Sequence, residues 1–145
     1  MEGRPSVSPV TTAEVMSQIV RLTSGPSFVG GLNPAQWAAL RYFAGAGPGA
    51  RSVTAFARHH ATSKGTASQT IAALIRKGLL ARVRDTSDRR VLRFDPTMAG
   101  RHLLGHDPMK LVADAIAALP DHDQHSLAAL AEKVMNGVLE RRQTS

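Results

Sequence analysis

Apolar residues recur at helical spacing along most of the chain, interrupted once by strict alternation. Thr11-x-x-Glu14 has the form of a capping box. Val15, Ile19 and Leu22 follow at helical intervals and predict a first helix from about Thr12 to Thr23. Residues 1–10 contain Pro and Ser and no such pattern, and read as a frayed start. Gly25-Pro26 and Gly30-Gly31 mark a loop. A second helix then has a full start signal: Asn33 to cap, Pro34 in the first position, and Gln36 to reach back to the cap. Leu32 and Trp37 take the two staple positions. Trp37, Leu40, Phe43 and Ala44 form the buried stripe, and Gly45, Gly47, Pro48 and Gly49 end it.

Ser52 caps a short helix from Val53 to His60 with Val53, Phe56 and Ala57 inward. After a turn at Ala61-Thr62, Ser63 starts the next helix, which closes at Lys77-Gly78 with a cation in the last turn and a glycine cap. Its buried face is Ala67, Ile71 and Leu74. Its other face carries Lys64, Gly65, Thr66, Ser68 and Gln69. Two short helices about a tight turn predict a helix-turn-helix. The alternation comes next: Leu79, Ala81 and Val83 point one way, and Leu80, Arg82 and Arg84 the other. Beyond the charged stretch from Asp85 to Arg90, Leu92 and Phe94 oppose Val91, Arg93 and Asp95, which predicts a hairpin. Thr97 caps a helix through Arg101 and Leu104, and Asp107-Pro108 breaks it. Leu111, Val112, Ala115, Ile116 and Leu119 continue the helical period. Asp121-x-x-Gln124 reads as another cap before a last stripe of Leu127, Leu130, Ala131, Val134 and Val138.

At 145 residues, 43% of them apolar, the chain suits a single domain with its own core. Aromatics are only 4%, which leaves most of the packing to Ala, Leu, Val and Ile. With no cysteine, a disulfide framework, a thiolate zinc site and a cysteine nucleophile are excluded. No apolar run reaches the roughly 18 residues of a membrane span, and Met1-Glu2-Gly3-Arg4-Pro5 lacks the order of a signal peptide. A cytoplasmic protein with no membrane association is expected.

Charge adds a location. The chain carries +7, yet residues 51–101 hold 11 Lys/Arg against 3 Asp/Glu, and residues 102–145 hold 4 against 6. Arg82, Arg84, Arg89, Arg90 and Arg93 all crowd onto the hairpin, at a cost in self-repulsion that an anionic partner removes. A basic segment set between helical flanks points to a nucleic-acid surface on a scaffold.

Several pieces, in order, resemble the MarR family of winged helix-turn-helix transcription regulators. Leu32-Asn33-Pro34-Ala35-Gln36-Trp37 is similar to that family's entry to its second helix, and Ser63-Lys64-Gly65-Thr66-Ala67-Ser68-Gln69 to the start of its recognition helix. Lys77-Gly78-Leu79-Leu80 resembles the step into the wing. Asp88-Arg89-Arg90 followed by Thr97-Met98-Ala99-Gly100-Arg101 resembles the wing signature. The resemblance spans about residues 32–104. Departures are Ala61 for the usual turn glycine, His60 and Thr62 for leucines, Pro96 before Thr97, and Gln69 for a frequent arginine. An alanine at 61 costs up to about 1 kcal/mol if that residue needs positive φ.

The resemblance implies a mainly α fold with a small β-hairpin wing. Its expected parts are a flexible start (1–10), an N-terminal dimerisation helix and loop (11–31), the winged module (32–96) and C-terminal helices completing the dimer (97–145). It implies a homodimer that binds double-stranded DNA as a repressor, uses no cofactor, and takes a small, often anionic aromatic ligand. The expected DNA-binding residues are Ser63, Lys64, Gly65, Thr66, Ser68 and Gln69 in the major groove, with Arg84, Asp88, Arg89 and Arg90 on the wing. A glutamine matches adenine bidentately. An arginine at a wing tip suits a narrow minor groove, and Asp88 can orient one by a paired hydrogen bond. Rival readings are a nucleoid-type protein of low base discrimination and a metal-responsive regulator using His102/His106 or His122/His125, pairs at spacings that share a helix face. No Gly-rich phosphate loop, Gly-x-Ser-x-Gly or His-Glu-x-x-His supports an enzyme.

Overall fold

The computed structural model describes residues 7–24, 29–84, 88 and 90–145. Helices α1 (Pro9–Ser24), α2 (Pro34–Gly45), α3 (Val53–His59) and α4 (Lys64–Arg76) precede a hairpin of β1 (Leu80–Arg84) and β2 (Leu92–Pro96). Helices α5 (Met98–Leu104), α6 (Met109–Ala117) and α7 (Asp121–Gln143) follow. This is a mainly α winged helix-turn-helix with one helix before the module and three after it. Among the described residues no helix is long and apolar enough to cross a membrane. The expected loop at Gly25-Pro26 and most of the expected frayed start lie outside the described residues.

The buried hydrophobic cluster described runs from Leu32 to Phe94, so the core is that of the winged module. Composition understated the aromatics in it. Phe43 lies 5.5 Å from Phe56 and 5.8 Å from Phe94 between ring centroids, Tyr42 edges onto Phe43 at 5.2 Å, and Trp37 is buried beside them. Few aromatics suffice because they occupy the centre, where each buries the most area. The capping box of α2 forms as expected: Asn33 Oδ1 accepts from the Gln36 amide at 2.8 Å, and Gln36 Oε1 accepts from the Asn33 amide at 3.1 Å.

Two expected caps are corrected. Helix α1 begins earlier than Thr12, because Ser8 Oγ accepts from the Thr11 amide at 3.0 Å and Pro9 fills the first helical position. Asp121 does not cap α7. Pro120 stands at that position without a side-chain bond, and Gln124 turns back instead, its amide donating to the Leu119 carbonyl at 2.8 Å. The same amide donates to the Ala117 carbonyl at 3.3 Å, which satisfies an orphan carbonyl at the end of α6, and the two bonds fix the α6–α7 corner.

The turn between α3 and α4 puts Ala61 at φ 52. The left-handed conformation that glycine adopts freely is thus held here by an alanine, at the strain foreseen from the sequence. In the hairpin, Leu80 pairs with Pro96, Arg82 with Phe94 and Arg84 with Leu92. One face of the ribbon is therefore apolar at its base and cationic toward its tip. Leu80, Phe94 and Pro96 are buried, whereas Arg82 and Arg84 stand in solvent. The alternation predicts this facing, and the wing projects because only its base has a core to cover. A third rung has no signal in the sequence. The Phe94 amide donates to the Arg51 carbonyl at 3.0 Å, while Arg51 Nη1 donates to Asp95 Oδ1 at 2.6 Å. The stretch before α3 thereby ties the wing base to the helix-turn-helix.

Candidate nucleic-acid interface

Helix α4 turns Ala67, Ile71 and Leu74 into the core. The 3.6-residue period then forces Lys64, Gly65, Thr66, Ser68 and Gln69 outward, and all are exposed together with Ser63. Ser63 caps the helix: its Oγ accepts from the Thr66 amide at 3.1 Å and pairs with Thr66 Oγ1 at 3.0 Å. Two expected contact residues are therefore partly engaged in capping. Among the described residues the side chains of Lys64, Ser68 and Gln69 make no hydrogen bond or ion pair, so their donors face water. The first-turn amides add the positive end of the helix dipole beside them.

The other end of α4 is anchored. Lys77 Nζ donates to the Gly31 carbonyl at 2.6 Å and to Gln36 Oε1 at 3.1 Å, and Gly78 turns the chain at φ 73. Thr97 Oγ1 donates to the Gly78 carbonyl at 2.6 Å and also caps α5 through the Gly100 amide at 3.1 Å. Helix α4 thus presents a polar start, with Lys64, Ser68 and Gln69 exposed beyond the Ser63 cap, on a fixed end.

At the wing, Asp88 Oδ1 accepts from the Arg90 amide at 3.0 Å and from Arg90 Nε at 3.3 Å. The aspartate orients a guanidinium that is itself 92% exposed. Arg84 is exposed on β1. Arg89 lies outside the described residues, as do residues 85–87. Tyr42 braces the module from behind, its hydroxyl donating to the Ala50 carbonyl at 2.7 Å. Burial pushes the Tyr42 phenol up from its ordinary 10.0 against the opposing charge of Arg58, which keeps that proton in place.

A second surface is apolar. Val15, Ile19 and Leu22 of α1 are exposed, and so are Leu127, Leu130, Val134 and Val138 of α7, which has no buried residue at all. Exposed apolar area of this extent marks an association surface.

One functional pairing escaped the sequence. Asp107 is legible there only as a helix breaker, yet it is 8% exposed and takes Arg41 Nε on Oδ2 at 2.5 Å and the Met109 amide on Oδ1 at 2.9 Å. This ion pair joins α2 to the corner between α5 and α6. Beside it lies a cavity of about 230 Å³ whose walls include Val20, Trp37, Arg41 and Met109. Trp37 presents only its ring there, because Nε1 is spent on the Val29 carbonyl at 3.0 Å. Of the histidine pairs, His102 and His106 stand with ring centroids 5.8 Å apart, and His125 Nδ1 is bonded to the Asp121 carbonyl at 2.7 Å. Among the described residues no group of three or more potential ligands gathers around either pair.

Residues 30–91 match the sequence profile of the MarR family. A crystal structure of a probable transcriptional regulator from Pseudomonas aeruginosa is similar at 25% identity and TM-score 0.66, covering 90% of this chain and 99% of that one. The S. aureus MepR–DNA complex shares the fold at 16% identity and TM-score 0.67, covering 91% and 99%. So does the PcaV regulator from Streptomyces coelicolor, solved with its natural ligand, at 20% identity and TM-score 0.65 over 95% and 99%. No curated protein sequence matches the chain.

Proposed function

From the match of residues 30–91 to the MarR family profile we propose that the chain is a homodimeric, sequence-specific DNA-binding repressor of that family acting in the cytoplasm. The observation that carries the reading is the start of α4, where Lys64, Ser68 and Gln69 are exposed and unpartnered within the most basic third of the chain. Ser63, Lys64, Gly65, Thr66, Ser68 and Gln69 enter the major groove. There Gln69 reads a base, Lys64 meets a phosphate or guanine, and Ser63 and Thr66 add the capped helix end. Arg84, Arg89 and Arg90 reach along the minor groove, with Asp88 setting the direction of Arg90. The apolar faces of α1 and α7 close on a second copy about a two-fold axis, so residues 11–31 and 97–145 form the dimer and residues 32–96 bind DNA. The operator is then an inverted repeat. The cavity beside Trp37 takes a small aromatic ligand that releases the DNA. The DNA complex of the S. aureus relative and the ligand complex of the Streptomyces coelicolor relative support the two halves of this reading.

The wing supplies the test. Replacing Arg89 and Arg90 together by alanine should weaken DNA binding while leaving the thermal melt unchanged, since the Arg90 side chain is 92% exposed. The log–log salt dependence should also flatten, by roughly 0.9 for every phosphate the variant no longer neutralises. Fluorescence anisotropy of labelled operator DNA across a salt series reads both effects. An unchanged affinity and slope would remove the wing from the interface.

A further inference from the structure

The cavity beside Trp37 is small, apolar and electrically balanced, and the balance sets what it accepts. Among the described residues its only polar side chains are Thr23 and Arg41. The Thr23 hydroxyl is spent on the Ile19 carbonyl at 2.9 Å, and the indole N–H on Val29. Among the described residues the Arg41 guanidinium makes one bond, Nε to the buried Asp107 carboxylate, and its two Nη groups have no partner. Among the described lining residues the one cation is therefore neutralised by a carboxylate of its own chain. At about 230 Å³ the space is below the usual range for ligand pockets and holds a single ring.

We infer that this cavity selects an uncharged, single-ring aromatic ligand bearing a hydrogen-bond acceptor, and discriminates against an aromatic acid of the same shape. This deepens the proposed function and rests on the reading of the cavity as an effector site. A carbonyl or amide oxygen accepts from the Arg41 Nη groups while the ring lies against Trp37 and Met109. A carboxylate accepts the same bonds but arrives as a second anion on one guanidinium. It leaves a net negative charge in partly dry surroundings with nothing to offset it. Asp107 is a positioning and specificity residue in this arrangement. It aims Arg41 and cancels its charge without touching the ligand.

Trp37 is the only tryptophan of the chain, so its emission reports occupancy directly. The full-length wild-type protein is titrated at neutral pH with benzamide and, separately, with benzoate. Benzamide is expected to give a saturable change with a Kd on the order of tenfold lower than benzoate. Asp107→Asn keeps the shape and an acceptor for the Met109 amide but removes the neutralising charge, and should reverse the order in favour of benzoate. Benzoate binding as tightly as benzamide in the wild type would overturn the inference alone, as would an unchanged preference in a folded Asp107→Asn variant. A lack of response to either ring at millimolar concentration would overturn the effector-site reading together with the inference. The wild-type pair decides the matter even if the substitution loosens the fold.

Discussion

Gly100→Ala is expected to destabilise the protein by about 3 kcal/mol or more, the upper end for an added methyl in a packed interior. A Cβ built on Gly100 falls on the Leu79 carbonyl oxygen, far inside van der Waals contact, and 3.3 Å from Leu40 Cδ1. The obstacle is backbone, so no rotamer relieves it. The same carbonyl accepts from the Thr97 amide at 3.0 Å, and Thr97 caps α5. Helix α5 must therefore move off the module and loosen the junction of α4, β1 and α5 as it goes. A fall in melting temperature of about 10 °C corresponds to that free energy in a chain of this size. Differential scanning calorimetry reads it. A shift within a degree or two would mean that α5 does not press on the module as described.

Replacing Leu130 and Val134 together by glutamate should abolish the dimer and lower DNA affinity by on the order of 10²- to 10⁴-fold, because the second half-site is then no longer held at high effective concentration. Both residues are exposed on α7, at 58% and 49%, and lie one helical turn apart on its apolar stripe. Two charges there cost the single chain little, since α7 contributes nothing to its buried core. Sedimentation velocity at micromolar concentration should show a dimer for the wild type and a monomer for the variant, with the winged module still folded by circular dichroism. A monomeric wild type would contradict the assembly.

The winged module is the most legible part of the chain, for a physical reason. Its signals are local: the Asn33–Gln36 capping box, the Ser52 and Ser63 caps, the three-residue face of α4 and the alternation of the wing all act within a few residues of each other. Even the strain at Ala61 is visible as a missing turn glycine. The parts that escape depend on residues far apart in sequence. Arg41 meets Asp107, and Arg51 meets Asp95, only after the helices pack. Nothing in Asp107-Pro108 distinguishes a buried charge partner from an ordinary helix breaker. Two caps differ from expectation where competitors stand nearby, with Ser8 outcompeting Thr11 and Gln124 bonding to the preceding helix. The residues expected from the sequence to contact DNA are exposed in the fold wherever it is described, apart from the half-buried Asp88. Their chemistry is legible because an outward polar face at a helix start follows from the position of the buried one.

The central claim is that α4 reads bases in a two-fold DNA site. Binding-site selection from randomised duplex DNA, carried out in parallel with wild type and Gln69→Ala, tests it most directly. The wild type should enrich an inverted repeat whose half-sites lie roughly 10 base pairs apart or a little more. Gln69→Ala should relax one symmetric pair of positions, by the 1–3 kcal/mol or so that a bidentate contact to adenine contributes. Identical motifs from the two proteins would take Gln69 off the reading surface. No enriched motif from the wild type would contradict sequence-specific recognition and leave a protein that binds DNA through its charge alone.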